Sequence, residues 1–426
     1  MDHGRAVVAM MNALDVSATA LGNHEFDWGV DTMKARIRET RGAVLGANVL
    51  GPDGTRPPWL RADTLIEREG LRIGVIGVAA THTARSSHWR HVRGYRFLDA
   101  APIIDERTRA LRRRGATHVI VVGHEGAGCD RDEPTRCSGP MLEIARALTE
   151  PVDAILAGHS HWRTDLRVGK VPLVQAWSSG RALAIVDLPL GNDLAPRTEV
   201  RVVHADSTRG APAVVDSIVR LAIARSAARA NRVVATLADD LPRDGREYAL
   251  GRLIVDAQRA ITRADIAITN EGGVRAPLKA GPVTYGQLYQ VQPFGNPLTR
   301  LRLRGRDVIA LMESVVSARG PVSFVSGVRV EWDSLITDGP RVTRVTREDG
   351  RPLLPTRVYS VVVNDFMLGS DVPAAIQRRA IAVEALPVID LAAFERYLSM
   401  QPQPVRAPRE PRIVERRQRV MTGAGR

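Results

Sequence analysis

The period of the apolar positions changes repeatedly along the chain. Residues 5–14 (RAVVAMMNAL) carry apolar side chains at helical spacing, whereas 17–21, 43–49 and 72–79 (RIGVIGVA) are short runs of strand length. A helix is expected at 100–114, a strand at 118–122 (HVIVV), a helix at 140–149 and a strand at 153–157 (DAILA). Strands at 171–176, 182–189 and 198–204 follow with little helix between them, which predicts antiparallel pairing there. Helices interleaved with β-rich runs predict an α/β first domain ending near residue 206.

A turn-rich stretch at 207–212 (STRGAP) precedes a continuous helical pattern over 213–230, read as a linker between two domains. The second half mixes strands at 232–237, 265–269, 298–304, 327–332, 341–346 and 357–363 with helices at 247–261, 306–317 and 388–399. The organisation expected is a first domain over 1–206, a linker over 207–230, a second α/β domain over 231–400 and a loosely ordered basic tail over 401–426.

Composition changes this picture little. A hydrophobic content of 44% fits a folded chain, and no apolar run approaches the roughly 18 residues that a membrane helix needs. The formal charge of +13 invites a nucleic-acid reading, but of the 60 basic residues only Lys34, Lys170 and Lys279 are lysine, and the arginines are spread out. Groove-reading and stacking motifs are missing as well, so no nucleic-acid partner is expected. The two cysteines, Cys129 and Cys137, share one polar loop. They point to a disulfide and an oxidising compartment, two unpaired thiols being the alternative. The first residues, Met1-Asp2-His3-Gly4, show no charged segment followed by an apolar core.

Chemistry concentrates at strand ends. Strand 17–21 runs into Gly22-Asn23-His24, strand 118–122 into Gly123-His124-Glu125, and strand 153–157 into Gly158-His159-Ser160-His161. The carboxyl ends of strands in an α/β sheet form the natural ligand crevice, and glycine before each histidine allows a sharp turn and a close approach. With His82, after strand 72–79, as a further candidate, five of the ten histidines can meet at one edge. Neutral imidazoles with an amide oxygen suit a borderline divalent ion such as zinc or manganese.

The stretches GNHEFDWG (22–29), GHEGAG (123–128) and GHSHW (158–162), in this order, resemble the calcineurin-like metallophosphoesterases. Within them the resemblance is to the 5′-nucleotidase / UDP-sugar hydrolase / 2′,3′-cyclic-nucleotide phosphodiesterase family. TNEGGVRAPLKAGPVTYGQLYQVQPFGNPL (269–298) and VVVNDFMLGSD (361–371) resemble its C-terminal substrate domain. The resemblance implies a metallophosphoesterase β-sandwich flanked by helices, here lacking its first strands, followed by an α/β substrate-binding domain. It implies a metal-dependent phosphoric ester hydrolase acting on nucleotides or nucleotide-sugars through in-line attack by a metal-bridging hydroxide.

By position, Asn23, His124 and His159 match ligands of one metal and His161 a ligand of a second. The implied ions are manganese, zinc or cobalt. His24 matches the catalytic histidine and Asp27 the carboxylate that orients it. Arg275 matches the substrate pocket, Phe294 and Phe366 the aromatic pair that sandwiches a nucleobase, and Asn296 and Asp371 the residues that bond base and ribose. Glu25 and Trp28 receive no chemical role.

Two departures qualify the match. Leu368-Gly369-Ser370-Asp371 is one residue shorter than the usual pattern after the second phenylalanine. No Asp-x-His occurs in the sequence, so the family's first ligands and its bridging carboxylate are expected upstream of Met1, and the second metal site is incomplete within these residues. The resemblance and the cysteine pair imply a periplasmic or secreted protein. The alternative function is a catalytically degenerate nucleotide-binding protein; the oligomeric state is left open.

Overall fold

Glycine-permitted close packing sets the architecture of the first half. The computed structural model describes residues 2–87, 89–129, 136–188, 197–202, 210–318 and 320–416, and the chain divides into two compact units, Met1–Ile223 and Ala224–Arg426. In the first unit β1 (Ala18–Ala20) pairs in parallel with β2 (Ala43–Leu45). A separate sheet contains β3 (Asp63–Arg68), β4 (Leu71–Val78), β5 (His118–Gly123), β6 (Ala154–Leu156), β7 (Arg163–Val168) and β8 (Val171–Ala176). Its order is β7-β8-β6-β5-β4-β3. The four strands β4, β5, β6 and β8 run parallel, and β3 and β7 close the edges antiparallel.

The sequence of β4, LRIGVIGV, explains why both its faces are covered. Its last five residues are buried, as expected of an inner parallel strand. A Cβ placed on Gly77 would stand 2.2 Å from the Cβ of Leu45, and one on Gly74 would stand 2.8 Å from Leu111. The absent side chains therefore let β2 lie against one face and α1 (Ala100–Arg113) against the other. Asp99 caps this helix by accepting from Ala101 N, and Asp105 within it is buried and accepts from the Thr149 and Glu150 amides. Parallel register then brings the residues after β4, β5 and β6 to one edge of the sheet.

The second unit holds a mixed five-stranded sheet of β9 (Ile266–Asn270), β10 (Pro297–Arg304), β11 (Ser323–Ser326), β12 (Val358–Asn364) and β13 (Ala382–Ile389), ordered β11-β9-β12-β10-β13. Only β9 and β12 run parallel. The helices α2 (Ala249–Thr262) and α3 (Asp390–Met400) share one core, in which Leu250, Ile254, Phe394 and Leu398 are fully or almost fully buried. The helix expected over 213–230 is present at Ala213–Ala230, and the division between the units falls within it.

Several strands are shorter than their apolar runs. The ends of the strands expected at 182–189 and 198–204 lie in part outside the described residues, as does the start of the turn at 207–212. The segment after residue 400 departs from expectation. Rather than a loose tail, it is docked as far as residue 416: Val405 N donates to Thr236 O at 2.8 Å, and Ile413–Glu415 pairs in parallel with Val328–Trp332. The physical reason is that its charge is matched. Arg412 grips both oxygens of Asp256 at 2.7 and 2.9 Å, and Glu247 accepts the Arg412 and Ile413 amides. Residues 417–426 of the expected tail lie outside the described residues. Among the described residues no helix is long and apolar enough to cross a membrane.

The Gly77 contact yields a direct check. Gly77→Ala is expected to destabilise the chain by about 1–3 kcal/mol through overpacking, read as a lower urea midpoint at unchanged slope. An unchanged midpoint would mean that β2 does not lie against β4 in this way.

Candidate active site

Asn23 lies three residues beyond the end of β1 and is 2% exposed. Its carboxamide orientation is set from behind, where Nδ2 donates to Ser86 O at 2.6 Å; Ser87 Oγ donates to the Asn23 backbone carbonyl at 2.6 Å and holds the main chain. The side-chain oxygen is thereby turned towards His124, whose Nε2 atom lies 2.9 Å from it. Gly22 makes room for this pair. A Cβ there would stand 2.7 Å from the Glu25 carboxylate and 3.0 Å from the His124 ring.

His124 directly follows β5, and its amide donates to Val78 O at 2.9 Å, continuing the pairing with β4. His159 and His161 lie beyond β6 with φ of 73° and 58°, a left-handed region that non-glycine residues seldom occupy. Strain of this kind persists only where the surroundings over-determine it. Here the buried Gln175 of β8 donates to Trp162 O at 2.9 Å and to Ser160 Oγ at 3.0 Å, while Gly158 N donates to Glu125 O at 3.1 Å.

The imidazoles gather closely. His159 lies 4.9 Å from His124 and 4.8 Å from His82 between ring centroids, and the Nε2 atoms of His82 and His159 are 2.9 Å apart. Burial first, then repulsion from His159, His24, His161 and His82, holds the His124 pKa at about 4. Burial, followed by repulsion from His82, His24 and His161, does the same for His159, also at about 4. Both rings are therefore neutral at neutral pH, with lone pairs available. His24 is half exposed, and its Nδ1 lies 2.8 Å from Asp27 Oδ2, which fixes the ring orientation.

The structure thus brings Asn23, His24, Asp27, His124, His159 and His161 into one neighbourhood. Two donor pairs, Asn23–His124 and His82–His159, stand side by side. In donor chemistry they fit one borderline divalent ion. Among the described residues no three His, Cys, Asp or Glu side chains already surround a single point as ligands, so ring rotation would be needed to close the set. Close by, Cys129 and Cys137 are joined by a disulfide across two short antiparallel strands, Gly128–Cys129 and Cys137–Ser138.

In the second unit Arg275, Phe294, Asn296, Phe366 and Asp371 stand at one edge of the sheet. Arg275 comes after the end of β9, Phe294 and Asn296 lead into β10, and Phe366 and Asp371 follow β12, which pairs antiparallel with β10 and parallel with β9. Asn364 Nδ2 donates to Asn270 Oδ1 at 3.0 Å, tying the ends of β12 and β9 together. The Arg275 guanidinium is 5.8 Å from the centre of the Phe294 ring. Both phenylalanines are partly exposed, unlike the core aromatics Phe324 and Phe394. Asn296 Nδ2 donates to Asp390 Oδ2 at 3.2 Å, and burial pushes the Asp390 carboxyl up to about 7. Arg243 pairs with Glu271 at 2.6 Å.

Sequence reasoning missed the residues that hold these groups in place. Ser86, Ser87 and Gln175 carry no motif, and Asp390 reads as an ordinary helix start. His82 was only a candidate, and its one visible signal is its place after an apolar strand.

Comparison with known proteins follows the same division. Residues 230–377 match the family model described as the 5′-nucleotidase C-terminal domain. Endonuclease YhcR of Bacillus subtilis is 28% identical over 383 residues, covering 84% of this chain and 31% of that protein. Cell wall protein Lmo0130 of Listeria monocytogenes is 27% identical over 460 residues, covering 92% of this chain and 57% of that protein. The chain therefore spans less than two thirds of either relative. A crystal structure of a 5′-nucleotidase precursor from Thermus thermophilus superposes with a TM-score of 0.80 at 27% identity, covering 97% of this chain and 86% of the other.

The depressed histidines make a pH prediction. Folded pKa values of about 4, against an unfolded value of 6.5, mean that the unfolded chain takes up protons first as pH falls. Metal-free protein should keep its melting temperature above about pH 6.5 as far as these two groups govern it, and lose stability progressively towards pH 4. His124→Gln and His159→Gln should each flatten that decline in a calorimetric pH series; an unchanged decline in both would contradict it.

Proposed function

Because this chain belongs to the 5′-nucleotidase family, we propose that it hydrolyses phosphoric esters of nucleotides or nucleotide-sugars with the help of divalent metal ions. The observation that carries the reading is the Asn23 side-chain oxygen held against the neutral ring of His124, with the neutral ring of His159 beside it. In this reading Asn23, His124 and His159 hold one ion and His161 contributes to a second; manganese, zinc and cobalt suit such donors. A divalent ion there supplies Lewis acidity towards the phosphoryl oxygens and lowers the pKa of water to near neutrality.

The chain's own residues do the rest. Asp27, against His24 Nδ1, keeps that ring in one tautomer, with Nε2 left to place a proton or positive charge against the leaving oxygen. Arg275 offers a cationic fork to an anionic substrate group, and Phe294 and Phe366 offer π faces to a nucleobase. Asn296 and Asp371 serve base and ribose in the same scheme. The disulfide and the cell-wall relative support a location outside the cytoplasm.

A second reading is supported by the donor set itself, which is wholly neutral: nucleotide capture by the second unit without turnover. One assay separates the two. AMP, a 2′,3′-cyclic nucleotide and UDP-glucose are each offered with manganese, cobalt or zinc, and the product of each hydrolysis (phosphate from AMP, the ring-opened monophosphate from the cyclic ester, UMP and glucose 1-phosphate from UDP-glucose) is compared for the unaltered chain and His24→Ala. Hydrolysis of at least one substrate, reduced about 10²–10⁴-fold in kcat by the substitution at unchanged metal content, is expected. Nucleotide binding by calorimetry, weakened by Phe294→Ala but with no turnover under any condition, would replace the enzyme by the binding protein.

A further inference from the structure

Glu125 is fully buried, and its two oxygens are treated differently. Oε1 accepts from Thr81 N at 2.7 Å and from Thr81 Oγ1 at 3.1 Å. Among the described residues Oε2 has no hydrogen-bond partner, and it faces His82 Nδ1 at 3.9 Å. On the far side of the same ring, His82 Nε2 meets His159 Nε2 at 2.9 Å. A cleft of about 250 Å3, lined in part by His82, Glu125, His159 and Trp162, gives solvent access to this row.

We propose that His82 is an additional ligand of the cation assigned to His159, with Glu125 as its buried carboxylate partner. The inference rests on the metallohydrolase reading and adds to it a residue outside the Gly-His motifs.

At 2.9 Å the two Nε2 atoms share a hydrogen bond in the metal-free protein; two nitrogens bound to one ion at about 2.1 Å stand about 3 Å or slightly more apart, so the ring rotation that closes the set needs little change in this separation. Ligation through Nε2 requires the remaining ring proton to reside on Nδ1, the atom nearest Glu125 Oε2. The proton would give the orphaned oxygen a donor, and the carboxylate would offset positive charge that Asn23, His124 and His159 cannot offset themselves. A ligating imidazole commonly donates its other N–H to a carboxylate in this way, and the partner tunes affinity. His82 lies 37% exposed, so its ring can adjust without disturbing the core. Three imidazoles and one amide oxygen favour zinc or cobalt over magnesium or calcium.

The test uses cobalt(II) with the metal-free 426-residue chain, read by calorimetry, by visible absorption and by X-ray absorption counting of imidazole ligands. His82→Ala should raise the cobalt Kd at least tenfold and reduce the imidazole count from three to two, with the circular dichroism spectrum unchanged. Glu125→Gln, which retains the Thr81 contacts, should raise the Kd about 10- to 100-fold at an unchanged imidazole count. Binding that keeps its Kd and imidazole count in His82→Ala overturns this inference alone. Absence of cobalt binding by the unaltered chain overturns the metallohydrolase reading as well.

Discussion

Among the five imidazoles gathered here, His124 and His159 can sit so close only while they stay uncharged. Burial and mutual repulsion enforce that on His124 and His159, and strand register puts them there. Each parallel strand delivers one loop to the same edge; the bare Gly22 lets the Asn23 loop approach His124, and Gly77 lets β2 lie against β4. The backbone pays in left-handed conformations at His159 and His161, which the buried Gln175 holds in place. Neutrality and convergence together turn a set of surface-type residues into a donor array.

The second unit works by a different logic. Its partly exposed aromatics and Arg275 sit where antiparallel and parallel neighbours bring loop ends to one sheet edge. Asn296 is anchored from behind by Asp390, much as Asn23 is anchored by Ser86 and Ser87. In both units an amide side chain near the candidate chemistry is oriented by a partner that never needs to touch substrate.

Much of this was legible because the signals are local. A glycine followed by histidine at the end of an apolar run announces itself, and helix periodicity located 5–14, 100–114 and 213–230 to within a residue or so. The strands Asp63–Arg68 and Arg163–Val168 were not visible, since each is a polar edge strand stabilised by its hairpin partner. His82 was half legible because Ala79-Ala80-Thr81 intervenes between strand and ring, without the glycine that marks the others. The value of Gln175 and Glu125 depends on what tertiary packing places around a buried polar atom, and no spacing rule encodes that. The docked segment up to residue 416 was misjudged for a related reason: arginine-rich composition reads as solvated until Asp256 is known to lie beneath Arg412.

The most direct test of the account is anomalous diffraction from crystals of this chain grown with zinc or cobalt, collected at the metal edge. A peak within about 2.0–2.2 Å of Asn23 Oδ1 and of a ring nitrogen on both His124 and His159 is the predicted result. A well-ordered site with no peak there, or an ion held elsewhere by unrelated residues, would contradict it.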